Sequence, residues 1–551
     1  MIRAFFNKNL RYWHTIRYLR PVQIIGRIQH RFRRVKADLS AYEGRSVLSS
    51  NWIQPARRNQ RMVGVQKFCF LNECHEISEK GDWNKVERTK LWLYNLHYFD
   101  DLTAFDADRR IAWHCNLIRR WVDENPPGQG NGWEPYPSSL RIVNWIKWAL
   151  ADNPLEDCWV HSLAVQVRFL SKNLETHLLG NHLFANAKAL LFAGLFVDGD
   201  EAREWYETGC KLVERELPEQ VLTDGGNFEL STMYHLIFLE DLLDLINLHR
   251  AYDRPLPVGL EERIAPMFNW LVTMCHPDGE ISFFNDAAIG MTPSVREIQE
   301  YGIRLRLFEL LATEDKKNGV TMLGASGYTR VQMGNAVALI DRAAVGPDYL
   351  PGHAHADTLS FELSLFGQRL VVNSGTSVYG VGADRGQERG TAAHATIVID
   401  GQDSSEVWGG FRVARRASVF DCTENQFEGV IRLSACHNGY KRLPGKPVHC
   451  REWVFEEGLL TIHDKITGNG IHQVMSVMPL HPDVEIRAVE DDRAVFSIAG
   501  KELVVTVEGN GKLNSVKSNY HPEFGLSVNN WQLIFRSSAA LPVEIITRIR
   551  W

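Results

Sequence analysis

The chain has 551 residues, 44% hydrophobic and 23% charged, which argues against global disorder and allows at least two cores at about 100–200 residues per domain. Its 61 basic and 67 acidic residues leave a net charge of −6, against a nucleic-acid binder driven by a basic excess. Nine cysteines without a CxxC pair argue against a dense disulfide framework, and no apolar run reaches the roughly 18 residues of a membrane-spanning helix.

The N-terminus, MIRAFFNKNLRYWHTIRYLRPVQIIGRIQHRFRRVK, is basic but has neither the continuous apolar stretch nor the small-residue cleavage site of a secretory signal. The expected location is therefore cytoplasmic or peripheral. From Pro21 onward apolar residues recur at helical spacing among arginines. Such a segment either packs on its own protein or rests on an anionic membrane surface, so peripheral membrane contact through residues 1–36 stays open.

From about residue 85 to 315 the apolar spacing is three and four, as in IAWHCNLIRRWVDE, SLRIVNWIKWAL and YHLIFLEDLLDLINLHRAY, which predicts a succession of helices. After about residue 325 the pattern changes to alternation and β-branched runs, as in YTRVQMG, LSFELSLFGQRLVVNSG and KELVVTVEG. These predict antiparallel strands in one or two packed sheets. The boundary is expected near residues 315–325, within and just after TEDKKNG. Three regions follow: a basic, partly helical segment over 1–60, a helical domain over 61–320 and a β domain over 321–551.

Four polar clusters interrupt these patterns. In GNGWEPYPSSLRIVNWIKW, Arg141 has the planar fork to clamp a substrate carboxylate, or equally holds its own loop, while Trp133 and Tyr136 either stack on a sugar or anchor the loop. In LLGNHLFANAKALLFAGLF, Asn181 fits a helix N-cap, with His182 beside it. DGGNFELSTMYHLIFLEDLL begins a helix near Ser231 and leaves Glu229, Tyr234 and His235 at its entrance. Tyr234 is ready as an acid, and serves as a base only where neighbours lower its pKa. The densest cluster sets His353, His355 and Asp357 in alternation, on one face if a strand begins there, with His394 arriving from a later strand start. Metal binding and acid–base chemistry are both open for these histidines.

Together WLYNLHYFDDL, WEPYPSSLRIVNW, GNHLFANAKALLFAGLF, NFELSTMYHLIFLEDLLDL, GHAHADTLSFEL and GTAAHATIVIDG resemble the heparinase II/III family of polysaccharide lyases. The resemblance implies an incomplete (α/α) toroid followed by an antiparallel β-sandwich. It implies cleavage of a uronate-containing acidic polysaccharide by β-elimination, leaving 4,5-unsaturated uronate ends. Asn181 takes the place of the family's carboxylate-neutralising Asn, Tyr234 of its acid/base and His353 of its catalytic His. His182, Glu229, Tyr136, Arg141 and Arg389 are the expected substrate contacts. Arg385, Arg412, Arg415 and Arg416 join Arg141 and Arg389 as candidates for sulfate groups, although a non-sulfated polymer is preferred.

In some members a structural metal is held by His, Asp and His, which fall at His355, Asn373 and His394. Asn373 departs from the expected carboxylate, so zinc there is expected to be weak or absent, and no cofactor is required. The family places such enzymes in the periplasm or cell envelope, where a role beside surface-polysaccharide metabolism would fit. A glycoside hydrolase on the same toroid, using two of Glu134, Asp224, Glu229 and Asp286, and a non-catalytic carbohydrate-binding homologue are the alternatives.

Overall fold

The computed structural model describes residues 2–308 and 318–551. Two helices open the chain, α1 (Ile2–Ile16) and α2 (Pro21–Phe32). Pro21 starts α2, where a missing N–H leaves no hydrogen bond unmade. A hairpin of Lys67–Phe70 and Glu73–Glu76 follows, bridged by a Cys69–Cys74 disulfide. The helical body comprises α3 (Lys90–Tyr98), α4 (Ile111–Glu124), α5 (Pro135–Leu150), α6 (Asp157–Ser171), α7 (Gly180–Phe196), α8 (Asp200–Gln220), α9 (Thr232–Ala251), α10 (Ile264–Thr273) and α11 (Val295–Arg304).

Helices α5, α7 and α9 are buried on nearly every side, because their sequences are apolar around most of the circumference. They form an inner layer in which α3, α5, α7, α9 and α11 touch in succession, while α8 covers α7 and α10 covers α9. This is the incomplete (α/α) toroid. Small residues permit its close packing: a Cβ on Gly194 of α7 would lie 2.6 Å from the backbone nitrogen of Tyr206 in α8. The Lys188 ammonium buried in this layer is paired, with Nζ 2.6 Å from Asp241 and 2.5 Å from Asp244, joining α7 to α9.

The C-terminal half is a sandwich. One layer is an eight-stranded antiparallel sheet built from strands between Val419 and Arg550. Opposite lie a five-stranded sheet (residues 319–371) and a four-stranded sheet, joined where Val371 bridges Leu480. Buried side chains from all three share one core. Alternation is clear in strands such as Val430–His437 and Leu459–Thr467, each with one buried face. A second disulfide, Cys436–Cys450, joins paired positions of adjacent strands.

The helices end by Arg304 and the first strand of the sandwich begins at Gly319, while much of TEDKKNG lies outside the described residues. One expectation needs correction. The stretch carrying His353, His355 and Asp357 is a loop, and the strand begins only at Phe361. Backbone bonds such as Ala356 N–H to the Arg389 carbonyl, 2.9 Å, take up groups that a ladder would otherwise use.

A buried ionic cluster fixes that loop to the sandwich. Asp464 accepts Arg451 Nε at 2.6 Å and His449 Nε2 at 2.7 Å. Arg451 Nη1 then donates to the carbonyls of Leu359, 2.8 Å, and Ala395, 2.6 Å, next to the loops bearing His355 and His394. Burial alone would raise the Asp464 pKa, but Arg451 and His449 hold it well below the usual carboxylate range. Its stabilising contribution is therefore complete above the ordinary carboxylate pKa and is lost as pH falls through the depressed folded value. Asp464→Asn strands Arg451 without its counter-charge and is expected to cost about 3–5 kcal/mol in urea unfolding. A loss below about 1 kcal/mol would show that Arg451 has found another partner.

Candidate active site

The cleft between toroid and sandwich gathers side chains from five segments. On the toroid side, α7 begins at Gly180 rather than after it, so its cap is Leu179 and Asn181 lies within the first turn. The expected capping role of Asn181 is corrected accordingly. Gly180 has φ +55°, and a Cβ there would meet Leu350 and lie 2.9 Å from Glu229 Oε1, so glycine is required for Asn181 to sit this close to the cleft floor. His182 donates from Nδ1 to Glu175, 3.1 Å away, and packs against Tyr136 with ring centroids 4.5 Å apart. Burial opposes charge on His182, yet the Glu175 carboxylate, with Glu229 beyond, raises its pKa overall.

Ser231 caps α9 by accepting the Tyr234 N–H, and its own hydroxyl donates to the Asp286 carbonyl at 2.5 Å. Tyr234 therefore emerges from the first turn toward the sandwich. Its hydroxyl lies 3.0 Å from that of Tyr379, and its ring centroid 3.9 Å from that of His353. Burial, with Tyr379 beside it, drives the Tyr234 pKa well above that of a free phenol, so the resting group carries its proton.

Asp286 organises the other half. It is fully buried and accepts Arg385 through both Nη atoms, His353 Nδ1 at 2.8 Å on one oxygen and His355 Nε2 at 2.8 Å on the other. Burial favours its neutral form, but Arg385 and the two histidines hold it well below the usual carboxylate range. An ionised carboxylate only accepts, so His353 donates from Nδ1 and, when neutral, presents its lone pair on Nε2. That nitrogen is 3.7 Å from Glu229 Oε2. No side chain among the described residues hydrogen-bonds the Glu229 carboxyl, and burial raises its pKa despite His353 and the Asn181 N–H. Non-glycine residues with positive φ precede three of the contributing segments: Leu179, Leu230 and Asn285. Each costs about 1–3 kcal/mol of backbone strain, which the surrounding contacts must offset.

Two expected substrate contacts are not in the cleft. Arg141 is fully buried inside the toroid, where it stacks 3.8 Å from Trp121 and bonds Gln166, the His97 carbonyl and Ser138. Arg389 is likewise buried, donating to the carbonyls of Ala354 and Gly410. Both brace backbone segments. Tyr379 and the orienting role of Asp286 and Arg385 escaped sequence reasoning. Tyr379 stood inside the densest polar cluster, but only the fold shows that its hydroxyl meets Tyr234.

The hydrolase alternative needs two carboxyl groups flanking the bond. Asp286 is saturated as above, Asp224 accepts from Ser326 and Gly226, and Glu134 is held by Lys90 and Tyr94. Only Glu229 faces the cleft without such partners.

Residues 99–307 match the model of the heparinase II/III N-terminus, and residues 315–551 that of the heparinase II/III-like C-terminal domain. This chain belongs to the heparinase II/III family. A heparin-sulfate lyase of Bacteroides stercoris is 27% identical over 380 residues, covering 64% of this chain and 53% of that protein. One from Pedobacter heparinus is 25% identical over 325 residues, covering 51% and 47%. The chain thus spans about half the length of these curated relatives. Among solved structures, a heparinase III has a TM-score of 0.67 at 16% identity over 87% of this chain and 79% of its own. Another, the Heparinase III-BT4657 gene product, has a TM-score of 0.64 at 17% identity over 91% and 87%. At these identities the structures show the shared fold.

The metal implied by the heparinase II/III resemblance can be tested against the donors. His394 Nδ1 donates to the Gly390 carbonyl at 2.8 Å, and His355 Nε2 to Asp286. Burial lowers the pKa of both, His355 to about 4, so both are neutral. Their remaining nitrogens, His355 Nδ1 and His394 Nε2, then direct lone pairs at each other across 3.1 Å. Asn373 is fully buried with no side-chain partner among the described residues, and the Ser374 N–H bonds Ala393, the neighbour of His394. The two facing imidazole nitrogens suit a cation, and with Asn373 in place of a carboxylate any metal there would be held weakly.

Arg141 and the cleft are separable by mutation. Arg141→Ala removes stacking and three hydrogen bonds and is expected to lower stability by about 3 kcal/mol or more, while KM for any glycan substrate stays unchanged below the lowered melting midpoint. A raised KM in a protein of wild-type stability would return Arg141 to the cleft.

Proposed function

We propose that the chain is a polysaccharide lyase that cleaves an acidic glycan on the non-reducing side of a uronate by β-elimination. The observation that carries this reading is the adjacency of a protonated phenol, Tyr234, and an imidazole whose free lone pair is on Nε2, His353, beside Asn181 and His182. The C5 hydrogen of a uronate is acidic only when charge on its carboxylate is stabilised. Asn181 and protonated His182 supply that stabilisation, and Tyr136 lines the same wall. His353 Nε2 takes the C5 proton, the C5–H electrons form the C4–C5 double bond, the C4–O bond breaks, and the Tyr234 hydroxyl protonates the departing oxygen. No water is consumed.

Because acid and base lie side by side, the C5 hydrogen and the C4 oxygen leave from the same face of the sugar. That stereochemistry belongs to gluco- and manno-configured uronates rather than their C5 epimers. Charge accounting favours an unsulfated polymer. Arg385 is spent on Asp286, Arg141 and Arg389 are buried, Arg415 pairs with Glu406 and Arg416 with Asp348. Arg412 alone of these is exposed, stacked on Trp408. A cation at His355 and His394 would orient the loop from behind and take no part in the elimination.

Wild type offered unsulfated glucuronate or mannuronate polymers is expected to generate the ultraviolet absorbance of a conjugated unsaturated uronate, with Tyr234→Phe slower by about 10²–10⁴-fold. Release of reducing ends without that absorbance would establish a hydrolase instead, and a preference for highly sulfated chains would overturn the charge argument.

His182 adds a pH signature. Its raised pKa carries the cationic form to higher pH than in a free imidazole, so substrate affinity should fall as pH rises through that pKa. His182→Gln is expected to raise KM about tenfold or more at low pH and to flatten this dependence. An unchanged profile would remove His182 from carboxylate recognition.

A further inference from the structure

Helices α1 and α2 turn one face toward the protein and leave the other bare. On the inward face Gln23 is fully buried and donates to the Tyr349 carbonyl at 3.1 Å. A Cβ on Gly26 would lie 2.7 Å from that of His177, and His30 stacks on the same imidazole at 4.6 Å. Arg20 sits 3.6 Å over the Tyr349 ring, and Trp408 Nε1 donates to Thr15 Oγ1 at 3.1 Å. The pair is therefore docked with a defined orientation.

The outward face is apolar. Trp13 is 64% exposed, Ile25 54%, Ile28 56% and Phe32 77%, with Leu10, Ile16, Val22 and Ile24 also open to solvent. In α2 the exposed positions 22, 25, 28 and 32 follow helical spacing, so they form one stripe. Basic residues flank it: residues 1–36 hold ten of the chain's Lys and Arg and no Asp or Glu, which leaves the remainder strongly acidic. Arg11, Arg17, Arg27, Arg31, Arg33 and Arg34 are exposed. Of the arginines in this segment only Arg20 forms an ion pair among the described residues, to Glu219.

We infer that the outward face of α1 and α2 is a docking surface for an anionic lipid bilayer. Apolar side chains enter the acyl boundary while arginines meet the headgroups, the arrangement of an interfacial helix lying in the membrane plane. An acidic glycan would satisfy the arginines but not bury Trp13, Ile25, Ile28 and Phe32. A second copy would bury the apolar stripe but bring two unpaired basic rims together. Among the described residues no helix is long and apolar enough to cross a membrane, so contact through this pair is superficial. The inner face touches Tyr349 and His177, each four residues before a cleft residue, His353 and Asn181. A chain docked in this way holds its cleft beside the lipid surface.

Flotation of the full chain with phosphatidylcholine vesicles, with and without phosphatidylglycerol, tests the inference. Recruitment is expected on the anionic vesicles and to weaken with salt. Ile25→Asp/Ile28→Asp should lose it at least tenfold while keeping the wild-type melting midpoint and cleavage rate. Arg31→Glu/Arg33→Glu/Arg34→Glu should lose the preference for anionic lipid even if the first variant proves unstable. No recruitment of wild type, or equal recruitment of both variants, would overturn the inference. So would vesicle-independent self-association that the Ile25→Asp/Ile28→Asp change abolishes, which would assign the face to a second copy.

Discussion

The cleft depends on one buried carboxylate. Asp286 lies between α10 and α11 of the toroid, yet Arg385, His353 and His355, which hold its carboxylate, all belong to the C-terminal half. An ionised carboxylate without water is costly, and only a full set of donors makes it tolerable. Arg385 supplies the compensating charge through two bonds, which lets His355 stay neutral. The same ion that joins the domains therefore sets the tautomer of His353, and with it the nitrogen available for chemistry.

This constraint explains why the surrounding backbone is strained. Leu179, Leu230 and Asn285 each adopt positive φ immediately before segments that turn Asn181, Tyr234 and Asp286 into one space. Helix entrances suit this purpose, because a capped first turn projects side chains beyond the helix while leaving the barrel of helices packed. Ser231 does both at once, capping α9 and tying its entrance to the Asp286 carbonyl. The loop from Pro351 to Ser360 completes the arrangement from the other side, and it stays a loop because His353 and His355 must reach opposite oxygens of one carboxylate. In a strand their side chains would stand parallel, about 6.6 Å apart, and could not converge on one carboxylate.

What the sequence disclosed followed periodicity and local chemistry. The switch from helical spacing to alternation marked the two halves, and the Gly-Asn-His, Tyr-His and His-Ala-His clusters marked the segments that meet in the cleft. Partnership was not legible. Asp286 and His353 are 67 residues apart and Tyr234 and Tyr379 are 145 apart, so no local pattern links them. Arg141 misled for the same reason: a guanidinium in the early turns of a tryptophan-rich helix reads as a substrate clamp, and only packing shows it stacked inside the toroid on Trp121. The one-residue shift at Asn181 has a local cause, since a glycine at φ +55° lets α7 start where a capping side chain would otherwise be needed.

The pairing of Tyr234 with Tyr379 bears on how the proposed elimination closes its cycle. Proton transfer to the departing oxygen leaves a buried phenolate, and burial drives the pKa of both tyrosines upward, so that phenolate forms at a cost. Tyr379 offsets part of it, because its hydroxyl lies 3.0 Å from the Tyr234 oxygen and can donate there, while Arg385 sits 5.0 Å from the Tyr379 ring. The step also leaves His353 protonated between Asp286 and Glu229, two carboxyl groups placed to stabilise an imidazolium. Phenolate and imidazolium then face each other with ring centroids 3.9 Å apart. Return of the proton from His353 to Tyr234 annihilates both charges in a site with little water to screen them, so the resetting step runs downhill once the cleaved chain departs.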